Sequence, residues 1–163
     1  MSKISPCLWF NGQAEEAARF YVSVFGGSVD FVSRYPDDSP VPAPFDAGDV
    51  LLVEFTIFGQ SYQALNGGPE FGFTEAVSLS VSCKDQAEVD RYFDVLTADG
   101  GSPGPCGWLK DKYGLSWQIV PEEVMEMHRS GNGPGIQRMM AEMMTMQKLD
   151  LARMKAAFEG ETV

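Results

Sequence analysis

Phe58-Gly59-Gln60-Ser61-Tyr62-Gln63-Ala64-Leu65 returns later in the chain as Tyr113-Gly114-Leu115-Ser116-Trp117-Gln118-Ile119-Val120. The Gly, Ser and Gln coincide, and an aromatic answers an aromatic at two further places. In both copies a Gly opens a two-residue connection between β-prone runs. A Gly at the first central position predicts a type II′ hairpin turn, because φ is positive there. Upstream, at another offset, ISPCLWFNGQAE over residues 4–15 is answered by VSLSVSCKDQAE over residues 77–88. Each reads as an alternating strand, a short polar break, then Gln-Ala-Glu opening a helical pattern. Two matches in the same order in each half predict a duplicated unit.

The rest of the chain fits around these matches. Residues 3–10 alternate Ile4, Pro6, Leu8 and Phe10 with Ser5, Cys7 and Trp9, as a half-buried strand does. Residues 13–25 place Ala14, Ala17, Ala18, Tyr21, Val24 and Phe25 on one helical stripe, which Gly26-Gly27 ends. Residues 28–35 read as a strand. Residues 36–49 hold four prolines and four aspartates, which predicts a loop. Residues 50–58 and 61–66 form the first hairpin. In the second half, residues 75–83 alternate Val77, Leu79 and Val81 with Ser78, Ser80 and Ser82. A helix over 85–98 stops at Asp99-Gly100-Gly101, and residues 102–107 leave little room for a full strand. Residues 108–113 and 115–120 form the second hairpin. The predicted fold class is therefore α+β, with two tandem β-α-β-β-β modules at 1–70 and 75–121 and a helical extension at 122–163. The extension reads as a short helix to Arg129, a glycine-rich hinge at 131–135, a Met-rich helix at 136–148, and a last helix capped by Asp150 and closed by Gly160.

A chain of 163 residues with 44% hydrophobic content can build one core, or two small halves sharing one. The formal net charge of −11 argues against nucleic acid and anionic membrane surfaces, since both need a cationic face. No apolar run is long enough to span a bilayer and no signal peptide is apparent. The three cysteines, Cys7, Cys83 and Cys106, have no metal-ligand spacing. Free thiols in a reducing cytoplasm are the expectation. No histidine neighbours a Ser or Cys in sequence, so no nucleophile-base pair is legible. Phosphate-loop and zinc-finger patterns are absent.

Three stretches then carry a family resemblance. The first is Cys7-Leu8-Trp9-Phe10-Asn11-Gly12 with Ala14-Glu15-Glu16-Ala17 and Phe20-Tyr21. The second is Ala64-Leu65-Asn66-Gly67-Gly68-Pro69. The third is Gly107-Trp108-Leu109-Lys110-Asp111-Lys112-Tyr113-Gly114 with Ser116-Trp117-Gln118-Ile119-Val120-Pro121. Together they resemble the PhnB-like branch, often labelled 3-demethylubiquinone-9 3-methyltransferase domain, of the vicinal oxygen chelate superfamily (glyoxalase I, bleomycin-resistance proteins, extradiol dioxygenases). The resemblance implies that each module curls into an eight-stranded half-open barrel, or that modules share strands between protomers, with the site in the concave face. It also implies the metal-ligand positions of the metal-using relatives, which fall here on Ser5, Gln63, Ser78 and Gln118. None is a His or a carboxylate, and neutral oxygen donors are weak ligands for Zn²⁺, Fe²⁺ or Ni²⁺. No metal and no other cofactor is therefore expected. The family label implies methyl transfer, yet no glycine-rich turn follows a strand and opens a helix, as common S-adenosylmethionine sites require.

Strand alternation adds an independent expectation. Leu8, Phe10, Val77, Leu79, Val81, Trp117 and Ile119 should pack beneath helices. The opposite parity puts Ser5, Cys7, Trp9, Gln63, Ser78, Ser80, Ser82 and Gln118 on the concave side. An aromatic wall with a few neutral hydrogen-bonding groups suits a small molecule. The predicted function is metal-free binding of an unidentified small molecule, through Trp9, Gln63, Ser78 and Gln118 with Ser5, Cys7 and Ser80. The alternative is a metal-assisted enzyme of isomerase, lyase or dioxygenase type. The predicted partner is a second copy of the chain. Open sheet edges need cover, and Met139, Met140, Met143 and Met144 form an apolar surface too broad for one sheet face.

Overall fold

The apolar stripe of the first helical pattern becomes helix α1, Ala14–Phe25, which buries Ala14, Ala17, Ala18, Tyr21 and Phe25. That period-3.6 face meets a period-2 face. Strand β1 is Cys7–Phe10, β2 Ser28–Arg34, β3 Val50–Ile57 and β4 Gln60–Asn66. Leu8, Phe10, Val53, Phe55, Ile57 and Ala64 are buried, and α1 lies against β3 and β4. The computed structural model describes residues 3–41 and 44–161. Met1, Ser2, Thr162 and Val163, at the outer ends of the expected first module and extension, lie outside the described residues, as do Pro42 and Ala43 of the expected loop.

The chain divides into two compact units, Met1–Gly72 and Phe73–Val163. The second unit contains β5 (Leu79–Cys83), α2 (Gln86–Thr97), β6 (Ser102–Pro103), β7 (Trp108–Lys110) and β8 (Ser116–Pro121). Its helix buries Val89, Tyr92, Phe93 and Leu96 on a layer of Val81, Cys83, Leu109, Trp117 and Ile119, all buried. The two sheets have one plan, β1-β4-β3-β2 and β5-β8-β7-β6. In each, the first strand runs parallel to the last, and the hairpin strands are antiparallel. The fold class is α+β with two β-α-β-β-β modules, as the repeats predict. Each module supplies four strands to its own sheet, not the eight per module that the resemblance implied.

Each helix leaves through a Gly-Gly-Ser, at 26–28 and at 100–102. The second Gly is obligatory for space. A Cβ on Gly27 would stand 1.9 Å from the Thr56 carbonyl oxygen, and one on Gly101 would stand 2.4 Å from that of Leu96 and 2.9 Å from that of Lys110.

Neither hairpin turn is the expected type II′. Ile57 pairs with Gln60, so Phe58 and Gly59 are the central residues, with φ of 48° and 74°. Two positive φ values make a type I′ turn, whose twist matches the strands. The second pair of strands parts earlier, at Lys110 and Ser116. There the Gly114 N–H donates to the Asp111 carbonyl at 2.9 Å, and Gly114 has φ 86°. This is a type I turn closed by a left-handed glycine. The Asp111 carboxylate, 2% exposed, accepts from the Tyr113 and Leu115 N–H groups and from Trp117 Nε1.

Three further expectations change. Strand β5 begins at Leu79, because residues 75–77 turn before it. Val77 is consequently 68% exposed rather than under a helix. The expected hinge at 131–135 is partly helix: α4 spans Gly133–Met143, with Asn132 accepting from the Gly135 N–H and Pro134 in the first turn, where no N–H is needed. Finally, the extension makes a core of its own. Helices α3 (Glu122–Arg129), α4 and α5 (Leu151–Glu159) gather Val124, Met127, Met139, Met146, Leu149 and Met154, with Met143, Leu151 and Phe158 at the edge. Met139 is thus fully buried within its own chain, while Met140 and Met144 are 44% and 70% exposed. Asp150 caps α5 and Gly160 closes it in the left-handed region, as read from the sequence.

Candidate functional site

With α1 covering one face of the first sheet, the alternate residues present the other. Register lays them out in rows. Cys7 pairs with Gln63, Gln63 with Glu54, and Glu54 with Phe31. The adjacent row toward the hairpin is Ser61, Thr56 and Ser28. The row on the other side is Trp9, Leu65, Leu52 and Ser33. A bulge between Val29 and Phe31 leaves Asp30 outside the ladder and re-aims it. Its carboxylate accepts from Ser28 Oγ at 2.5 Å and from Thr56 Oγ1 at 2.7 Å.

Gln63 and Glu54 of the first row and Ser61 and Thr56 of the second stand in the wall of a cavity of about 760 Å³, with Ser5 and Asp30. Gln63 Nε2 donates to Glu54 Oε1 at 3.4 Å. The Ser28 and Thr56 hydroxyls hold the Asp30 carboxyl below the usual carboxylate range. Tyr62, also on the wall, is pushed up by burial and stays protonated. Burial likewise pushes up the Cys7 thiol.

Of the residues predicted from sequence, Ser5 and Gln63 share this cavity and Cys7 is in register with Gln63. Trp9 is engaged elsewhere. Its Nε1 donates to the Gly68 carbonyl at 2.8 Å, and its ring meets Phe71 edge-on at 5.0 Å. A Cβ on Gly67 would lie 2.3 Å from that ring. The Asn-Gly-Gly stretch therefore seats Trp9, and Asn66 holds α1: its Oδ1 accepts from the Gly12 and Ala14 N–H groups at 2.9 and 3.0 Å. In the second unit Gln118 Nε2 donates to Ser78 Oγ at 2.9 Å, and Gln118 is paired in register with Ser80 and Trp108.

Sequence reading missed Glu54, Thr56, Ser61 and Asp30. The first three were legible, because Leu52, Glu54 and Thr56 alternate with Val53, Phe55 and Ile57, and Ser61 shares the parity of Gln63. Asp30 reaches the cavity through the bulge, which has no such signal.

The donor set does not fit a transition metal. The relevant positions carry hydroxyls and amides, Ser78 and Gln118 bond each other, and among the described residues Glu54 is the one carboxylate bonded to any of the four. Among the described residues no three His, Cys, Asp or Glu side chains gather where they could hold a metal ion. No helix among those residues is long and apolar enough to cross a membrane.

Comparison with known proteins places this geometry. The family model for 3-demethylubiquinone-9 3-methyltransferase matches residues 2–120. A Bacillus cereus PhnB protein, provisionally described as a 3-demethylubiquinone-9 3-methyltransferase, is 34% identical over 74% of this chain and 99% of its own, with a TM-score of 0.63. Protein PA1353 of Pseudomonas aeruginosa is 26% identical over 75% of this chain and 98% of its own, with a TM-score of 0.59. The Listeria monocytogenes fosfomycin resistance protein FosX shares the fold at 14% identity, over 74% of this chain and 93% of its own, with a TM-score of 0.50. A search of curated protein sequences finds no match. The repeated module, the motifs that seat Trp9 and cap α1, and the match over residues 2–120 together make this chain a member of the PhnB-like 3-demethylubiquinone-9 3-methyltransferase family.

Proposed function

We propose that this protein binds a small polar molecule on the helix-free face of its first sheet, by direct hydrogen bonds and without a metal. The observation that carries this reading is the cavity of about 760 Å³ whose walls include Ser5, Glu54, Ser61 and Gln63. Amide, carboxylate and hydroxyl groups there stand on rigid strands, and a concave site of that size with a few oriented polar groups suits a small ligand. The methyl transfer in the family's name finds no support in this chain's glycines: Gly67 and Gly68 close a strand and receive Trp9. In the second unit, Ser78, Ser80 and Gln118 are a lesser polar group on the corresponding face. Free Cys7, Cys83 and Cys106 suit a reducing cytoplasm. The chain is proposed to act as a homodimer, with exposed Met140 and Met144 in the contact.

Thermal-shift screening of a library of polar metabolites tests the reading. Hits should raise the melting temperature of the native chain, and Gln63→Ala and Glu54→Gln should abolish the rise. Stoichiometric transition metal in protein purified without chelator, lost on Gln63→Ala, would overturn it in favour of a metal-assisted enzyme.

A further inference from the structure

The second unit holds a different cavity. It measures about 480 Å³, and its walls include Ser102, Pro103, Pro105, Cys106, Trp108 and Ser116. Proline rings, an indole and a thiol make those walls mainly apolar. Ser116 stands on the face of β8 opposite buried Trp117 and Ile119. It is 1% exposed, and among the described residues its Oγ is a buried side-chain oxygen with no hydrogen-bond partner. A buried hydroxyl without a partner costs free energy, and a native structure that keeps one needs a reason. A ligand's polar group is such a reason, and the volume falls within the range of small-molecule sites. Lys110 Nζ and Glu75 Oε1, both also on the wall, pair at 2.5 Å with their side chains 44% and 63% exposed. Their charges cancel, so this side of the cavity favours neither anions nor cations.

We propose that this cavity is a second ligand site, for a compact, neutral, mainly apolar or aromatic molecule that offers one hydroxyl or carbonyl group to Ser116 Oγ. It stands on residues separate from those of the first-sheet site and does not depend on that site's reading.

The cysteines supply the assay. Cys106 is on the cavity wall, Cys7 is exposed in the other unit, and Cys83 is buried. Native protein is treated with iodoacetamide and mapped by peptide mass, with 2-naphthol or naphthalene as the probe. Saturable slowing of Cys106 alkylation is expected, with Cys7 unaffected. 2-Naphthol should bind about fivefold tighter than naphthalene, the gain of one hydrogen bond. Ser116→Ala, checked for folding by circular dichroism, should erase that difference. Ser102→Trp, at an exposed position on the cavity wall, should slow Cys106 without probe and remove the probe's effect. Gln63→Ala should change none of this, which separates failure here from failure of the first site. Equal protection by the two probes in the unaltered protein means that water alone serves Ser116, and overturns the proposal. So does absence of saturable protection.

Discussion

Gln63 and Gln118 hold the same station in their sheets. Each stands on the last strand of its module beside the parallel first strand, in register with Cys7 and with Ser80. Their surroundings diverge. Gln63 meets Glu54 within a polar cavity, whereas Gln118 bonds Ser78, and the cavity of its unit lies toward the short edge strands and is mainly apolar. The faces beneath α1 and α2, by contrast, carry the same kind of residue in both units, buried aromatic and aliphatic side chains. Burial constrains a core face at every position, because volume changes there cost stability. The opposite face carries no such demand, so a repeated module can keep one scaffold and hold two chemistries.

The scaffold half of that comparison is most exposed to test at the helix exits. Gly27→Ala forces a Cβ onto the Thr56 carbonyl at φ 125°, so overpacking and a left-handed backbone penalty add to about 4 kcal/mol. Gly101→Ala meets two carbonyls without that φ penalty and should cost about 2 kcal/mol. Urea unfolding measures both. If one of the pair were neutral, the two exits would not be the same device.

The helix entrances differ, and the difference is measurable. Asn66 caps α1 from a distant strand, is 2% exposed and also donates to the Val50 carbonyl. Asn66→Ala strands two N–H groups and a carbonyl, and should cost about 3 kcal/mol. α2 is capped locally, by Asp85 accepting from the Glu88 N–H while the Glu88 carboxylate reaches back to the Lys84 N–H. Asp85→Ala should cost only about 1 kcal/mol.

These entrances also show how far sequence reading extends. The Gln-Ala-Glu match located both helices to within a residue, and strand parity assigned Leu8, Phe10, Val81, Trp117 and Ile119 correctly to the core. Local signals sufficed there because period and burial coincide. Asn66 reads from sequence only as the last residue of the first hairpin, since its partners Gly12 and Ala14 are more than fifty residues away in sequence. Trp9 has the parity of the open face, but only the fold brings Gly67, Gly68 and Phe71 to it. Val77 kept the alternation yet precedes the strand that would have buried it. The type I′ turn could not be read from Gly59 alone, because the strand register decides which residue is central.

The methionine row of the extension splits along the same line between inward and outward faces. Met139, fully buried beside Met154, should cost about 3 kcal/mol as Met139→Ala. Met140→Glu with Met144→Glu alters exposed positions and should leave stability within about 0.5 kcal/mol. Sedimentation of the double variant then tests the proposed dimer: association should weaken while the urea midpoint stays put. Undiminished association would remove these methionines from the contact.

The smallest expected effect belongs to Asp30, and it bears on the open face of the first unit. The hydroxyls of Ser28 and Thr56 donate to its carboxylate and lower its pKa from the ordinary 3.8. The folded state therefore favours the charged form more than the unfolded chain does. Between the folded and unfolded pKa values the unfolded chain binds more protons, so stability rises with pH across that interval. The contribution is complete above the unfolded value and is lost as pH falls through the folded one. Asp30 is exposed, and solvent screening keeps the effect small. Asp30→Asn should accordingly narrow the gap in unfolding midpoint between pH 6 and pH 3, slightly and with that sign. Thr56→Val should do the same in part, because it removes one of the two donors. The second unit offers the control: β6 is only Ser102–Pro103, so no bulged acid occupies the corresponding strand. Ser102→Ala should leave the pH dependence unchanged. An acid response that survives Asp30→Asn in full would assign it to other carboxylates and leave the bulge with a purely geometric role at the cavity wall.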